Sequence, residues 1–506
     1  MLALKNEALL HAILALASLH IAKLQNTHIT ASLKHYAIAL RRIAKSVSIP
    51  GRREHPATLA ANMLLSFYEC WCADHQKWSN HLLGTRTLPL EDVDENIVGV
   101  LMGRRLRYDE YGHIIDDVRE NAENGVYSPK DIETYEIQRD LVWWYYKQDV
   151  YQSILGGGKL FTEYDRWSLC PPRAPLGRLD AVYGTFDHLV LLMGRLADFA
   201  SKDLKRKRLA MKAANNSTSN QMPNFAGMVP NVKEATLPMG FSPTYSGSPQ
   251  SSEGDDMDLE IQRLEAEEEW QDIRNAFSVL EDHFGEDFQP LGEEFSTPAQ
   301  TPFGPALQYR TYGITGIWLN YYMALISCHR SHPSMPPAAM VAAGMAAHKT
   351  TFFANEIGRI AAGIAPDLSM TTQVNPGVGA ALVESSTCLF LSGIQYQDAA
   401  QRTWVICRLK DIARLTGWET ALSIVTGCET SWVRAAEMGR GPPYERTRDE
   451  RVPPQAWNPA RDFERTILRD QHPPDQRLVI STQERIHYAL GVLGVQDDFE
   501  NLDLDS

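Results

Sequence analysis

Apolar residues recur at helical spacing along most of the chain, while alternating runs of Val, Ile and Thr hardly occur, so the sequence predicts an all-α fold. The first helix spans LLHAILALASLHIAKL. There Leu10, Leu14, Ala17, Ile21 and Leu24 fall on one side with Leu9, Ile13 and Leu16 beside them, a wide face expected to be buried. From Ser32 to Val47 the pattern returns through Leu33, Tyr36, Leu40 and Ile43, and Pro50 with Gly51 stops it. A third helix follows Pro56 with Leu59, Met63, Leu64, Phe67, Tyr68 and Trp71, and Asp74 caps a fourth that carries Trp78, Leu82 and Leu83. Connections this short imply antiparallel helical hairpins.

Composition then divides the chain. Residues 1–212 read as the N-terminal helical part of a large body, with further helices over 131–156 and 177–211. Residues 213–254 shift to Asn, Ser, Thr, Pro, Gly and Met, too few bulky apolar side chains to offset the cost of ordering, and are expected to form a disordered insertion. Residues 255–305 give an acidic helix and a Pro/Gly linker, and 306–446 the C-terminal helical part of the same domain, with helices over 309–330, 338–364, 378–396, 399–417 and 419–439. Residues 447–506 are a polar tail with one short helix.

Charge narrows the function classes. The net charge of −14 has the wrong sign for a protein whose whole surface tracks phosphate backbone, and all of it resides between Glu253 and Glu294, where sixteen acids face two bases. Leu259, Ile261, Leu264, Trp270, Ile273, Phe277, Leu280, Phe284 and Phe288 are interleaved with those acids, a mixture that resembles an activation segment but also fits a helix face, so this helix is expected to dock on the body. Seven cysteines in apolar runs offer no even disulfide framework and point to a reducing compartment. No stretch reaches eighteen uncharged apolar residues, and Glu7, His11 and His20 spoil a signal-peptide reading, so no membrane role is expected.

Several motifs admit chemistry. Gly156, Gly157, Gly158 and Lys159 suggest a phosphate loop, but Leu160 stands where a magnesium-binding Ser or Thr belongs, so a helix terminator is expected. His329 and His332 beside Cys328 have no carboxylate near them in sequence and read as surface and core residues. Asp116, Asp117 and Glu120 share a helical face in the manner of all-α isoprenoid synthases that hold magnesium and diphosphate. An enzyme of that type is the alternative from another class, and a helical scaffold is a third. Half of the ligand set is missing and Arg119 pairs locally, so no catalytic, cofactor or metal site is expected. The run from Lys202 to Lys212 carries a net charge of +5, and Lys205, Arg206, Lys207 and Arg208 are the candidate nuclear-import element.

Three N-terminal segments, LLHAILALASLHIAKLQ, ASLKHYAIALRRI and HPATLAANMLLSFYECWCADHQKWSNHLLGTRTL, together with LVWWYYKQDVYQSILGG and the helices from AQRTWVICRLKDIARLTGWE to GPPYER, resemble the regulatory region of fungal-specific transcription factors of the zinc binuclear cluster class. The resemblance covers roughly 1–160 and 300–446. It implies an all-α regulatory domain of middle homology type in the nucleus, controlling RNA polymerase II transcription through protein partners and often as a homodimer. Trp143, Trp144, Tyr145, Gln148, Asp149 and Tyr151 match its middle signature, and Trp404, Arg408, Leu409, Ile412, Gly417, Trp418, Cys428 and Trp432 the C-terminal one, all with implied packing roles. The six-cysteine zinc cluster of the family does not occur in this sequence. The chain is therefore expected to be the truncated product of a longer gene or a regulator lacking its own DNA-binding head. Zinc is expected only with such a cluster, and contact with DNA only through it or a partner.

Overall fold

In a computed structural model of the chain, residues 2–86, 129–217 and 253–447 are described, apart from the isolated positions 50, 51, 54, 169, 171, 293, 296 and 366. They form α1 (Leu2–Lys5), α2 (Glu7–Leu24), α3 (Thr30–Val47), α4 (Pro56–Trp71), α5 (His75–Arg86), α6 (Pro129–Gly156), α7 (Tyr164–Trp167), α8 (Val182–Ser217), α9 (Glu253–Asp282), α10 (Tyr312–Arg330), α11 (Ala339–Ile364), α12 (Pro376–Gly393), α13 (Ala399–Thr416) and α14 (Thr420–Glu437). Strand is confined, among the described residues, to an antiparallel hairpin of β1 (Gln300–Thr301) and β2 (Gly304–Pro305) in the expected linker. The class is all-α. Of the expected insertion, 213–217 complete α8 and 253–254 open α9, while 218–252 lie outside the described residues, as do 448–506 of the tail.

The described residues fall into two units that interleave in sequence, one from 2–86, 290–319 and 354–447, the other from 129–217, 253–289 and 320–353. In the first, helix starts are capped by short polar side chains. Asn6 Oδ1 accepts from the Leu9 N–H at 3.1 Å, Asn375 Oδ1 from Val378 at 2.9 Å and Asp398 Oδ1 from Gln401 at 3.0 Å. Asp74 accepts from the Lys77 N–H at 3.3 Å and opens α5, as its position suggested. Helix α2 packs on α3 and α4, α4 on α5, and α12, α13 and α14 on one another.

The buried face of α2 is not the expected one. Ala8, Leu9, Ala12, Ala15, Leu19 and Ala22 are buried, whereas Leu14, Ile21 and Leu24 are exposed. Small residues let α3 and α4 approach closely. The Ser32 hydroxyl accordingly donates to the Ala15 carbonyl at 2.8 Å and lies 3.0 Å from the Tyr68 hydroxyl, a contact bulky side chains would prevent. By length and composition Glu7–Leu24 is also apolar enough to cross a membrane, although Glu7 and Lys23 keep it short of eighteen uncharged residues. Its charged residues, Glu7 and Lys23, sit at the ends and do not interrupt the apolar run.

In the second unit α8 packs on α6 and α9. The acidic helix docks as expected over its second half, with Ile273 and Phe277 fully buried, as are Phe284 and Phe288 just beyond its end, while Ile261 and Leu264 nearer its start stay exposed. Trp270 donates through Nε1 to the Cys328 carbonyl at 2.8 Å, and the Tyr321 hydroxyl donates to Glu281 at 2.7 Å. Arg173 grips the buried Asp187 with Nε at 2.9 Å and Nη2 at 2.7 Å, a bidentate pair that offsets the burial of that carboxylate.

Candidate functional site

Two features far apart in sequence, the glycine run after α6 and the basic run on α8, meet in the second unit. Helix α6 is anchored by the buried Trp143, Tyr145 and Tyr146, with Trp143 edge-on to Tyr146 at 5.9 Å; Trp144, Gln148 and Tyr151 are half-buried. One turn beyond these rings stands Asp149, with no exposed surface. Its Oδ1 accepts from the Phe161 N–H at 2.9 Å and from Gln152 Nε2 at 2.9 Å, and its Oδ2 from the Thr162 N–H at 3.0 Å. Three donors are what permit a carboxylate to be buried. Gln152 also donates to the Lys159 carbonyl at 3.2 Å, and Ser153 to the Gly158 carbonyl at 2.6 Å.

Asp149 is thus a clamp on the following loop, where the resemblance implied packing. The glycine run terminates the helix as expected. Gly157 takes a positive φ of 64°, a conformation costly for a side chain bearing Cβ. The loop carbonyls turn inward, and Gly157, Gly158 and Lys159 remain exposed. A Cβ added at Gly158 would meet no atom within 4 Å. Facing the loop is a cleft of about 370 Å³, lined by these three residues and by Ser201, Leu204, Lys205, Arg208 and Leu209 of α8.

The four candidate import residues divide between two environments. Lys205 and Arg208 are exposed, whereas Arg206 and Lys207 are buried. Successive helical residues turn by about 100°, so four in a row cannot share one solvent face. Arg206 Nε donates to Asp203 at 2.5 Å and its Nη2 to the Pro333 carbonyl at 2.9 Å, while Lys207 Nζ lies 3.0 Å from Asp203 and 3.0 Å from the Ser331 carbonyl it donates to. Burial pushes the Lys207 ammonium below its ordinary value, against the pull of Asp203. These two cations satisfy carbonyls just beyond the end of α10.

The C-terminal signature lies in the first unit. Trp432 is fully buried and donates through Nε1 to the Gly393 carbonyl at 2.9 Å. The Arg402 guanidinium sits 5.0 Å from the Trp432 ring and 5.6 Å from that of Tyr444, and donates to the Tyr396 carbonyl at 2.7 Å. Arg408 lies 4.7 Å from the half-buried Trp404 ring, and burial lowers its pKa to about 10. Trp418 meets Trp71 at 5.3 Å and Phe67 at 5.5 Å. At Gly417, φ is 70° and an added Cβ would stand 2.8 Å from Lys23 Cβ, which explains glycine there.

His332, with no acid nearby in sequence, has one in space, its Nε2 being 3.0 Å from Glu267 of α9. Asp116, Asp117 and Glu120 lie outside the described residues. Among the described residues no three His, Cys, Asp or Glu side chains gather to hold a metal. Sequence reasoning missed the Asp149 clamp, whose only local signal is an acid at the end of an aromatic run, and also the convergence of Lys159 with Lys205 and Arg208. No curated protein and no solved structure matches the chain. A family model described as the fungal specific transcription factor domain matches residues 1–428, and with most of its length so covered the chain belongs to that family.

Proposed function

We propose that this chain is the regulatory domain of a fungal transcription factor, acting in the nucleus on RNA polymerase II transcription through protein partners, a second copy among them, and leaving sequence readout to a head outside these 506 residues. The family match over 1–428 carries this reading. Two further features support it. The sequence contains no six-cysteine cluster, and the acid-rich stretch from Glu253 would repel a phosphate backbone. Nuclear import is assigned to the candidate run at Lys205, Arg206, Lys207 and Arg208, of which the folded helix offers a receptor Lys205 and Arg208. A fluorescent fusion carrying Lys205→Ala and Arg208→Ala should lose nuclear enrichment, and an unchanged distribution would remove this assignment. The test of the main reading is a mobility-shift titration of the purified chain against random duplexes at moderate salt. No sequence-specific complex is expected; micromolar or tighter binding that survives unrelated competitor DNA would contradict it.

A further inference from the structure

We propose that the cleft between the Gly157–Lys159 loop and α8 binds a small amphipathic dianion, its charged head among Lys159, Lys205 and Arg208 and its apolar body on Leu204 and Leu209. Both a phosphate monoester and an aromatic dicarboxylate have this chemistry. The cleft is lined by three cationic residues and no acid, and its volume of about 370 Å³ falls within the range of small-molecule pockets, roughly 300–1,000 Å³.

The pairing of the cations distinguishes this cleft from an ordinary basic helix. On α8, Lys202 is held by Asp198 at 2.6 Å, and Arg206 and Lys207 by Asp203. Lys159 and Lys205, which line the cleft, have no ion pair among the described residues. Like charges brought together without a counter-ion repel one another, and a dianion between them relieves that repulsion. The carbonyls of the lining loop residues Gly158 and Lys159 already accept from Ser153 and Gln152. The Asp149 clamp fixes the loop before any ligand arrives, so little ordering is left to oppose binding. Leu209, half-exposed on the rim, supplies the apolar contact that separates an organic anion from inorganic phosphate.

This site goes beyond the transcriptional role and does not depend on it, since binding is measured on the purified chain. Isothermal titration of the 506-residue protein at low ionic strength would use phenyl phosphate and phthalate as the two dianionic probes, with benzyl alcohol as the uncharged control. Saturable one-to-one binding of at least one dianion is expected, weakening with added salt. The tighter of the two identifies the head group. Lys159→Ala and Lys205→Ala, both at exposed positions, should each weaken binding about tenfold, whereas Lys202→Ala, at a lysine already paired to Asp198, should leave it unchanged. The proposal is overturned if neither dianion binds saturably, or if Lys159→Ala binds as tightly as the unaltered chain.

Discussion

Around Trp432 a charged group is laid against rings, with Arg402 beside both Trp432 and Tyr444 and the indole N–H spent on Gly393; around Asp149 a carboxylate is ringed by backbone and amide donors, with the aromatic residues of α6 one turn away. The first arrangement is closed. Its N–H groups are spent on the Tyr396 and Gly393 carbonyls, and Tyr444 of the segment after α14 lies 4.9 Å from the Trp432 ring. The second directs its polar bonds inward to hold a loop whose outer side, with two glycines and a lysine, faces solvent. The contrast separates a lock that only stabilises from a clamp that presents something. The resemblance implied a packing role for both.

The comparison is sharpened first by removing each centre. Trp432→Ala should cost about 3–5 kcal/mol, since a fully buried ring and its hydrogen bond are lost together, and thermal unfolding followed by circular dichroism would read it. Asp149→Ala should cost somewhat less, roughly 3 kcal/mol, because the Phe161 and Thr162 N–H groups lose a charged acceptor. It should also raise amide hydrogen exchange within 157–162, a local effect that Trp432→Ala should not produce. Equal loop protection in both variants would break the distinction.

Acid provides the next test. Burial lowers the pKa values of His81, His188 and His329 to about 4. His81 lies 2.9 Å from the Tyr36 hydroxyl through Nε2 and 2.9 Å from Asn62 Oδ1 through Nδ1. A base whose folded pKa is depressed contributes full stability above its unfolded value near 6.5, and the unfolded chain takes up protons first as the pH falls. Stability should therefore decline from pH 6.5 toward 4, by roughly 3 kcal/mol at most for each ring. A denaturant midpoint that is flat across this window would contradict the burial of these rings.

Smaller effects mark the edges of each region. Gly417→Ala should destabilise by about 1–2 kcal/mol through its left-handed backbone and the approach to Lys23. Lys159→Ala should change stability by less than about 0.5 kcal/mol, being exposed on the loop.

The parts of the fold legible in the sequence are those set by local periodicity and punctuation. Asp74, Asp398 and the Gly417 stop lie where helix ends were expected, and Trp270, Ile273, Phe277 and Leu280 of the acidic helix are buried. On α2 the large residues misled, because hydrophobicity alone ranks Leu above Ala, while close approach to α3 and α4 selects Ala12 and Ala15. Arg206 and Lys207 read as surface cations because their carbonyl partners, Pro333 and Ser331, lie more than a hundred residues away. The Asp149 clamp was hidden for a related reason. Two of its donors are backbone N–H groups, which every residue but proline carries, so no residue type at 161 or 162 announces them.

The central claim, that this chain regulates transcription through protein contacts, is tested most directly by fusing all 506 residues to an unrelated DNA-binding head in a fungal cell with a reporter under that head's sites. Reporter output should differ from that of the head alone, upward or downward, and the difference should shrink when Trp432→Ala loosens the domain. Output equal to that of the head alone, with the fusion intact and nuclear at the same abundance, would contradict the claim.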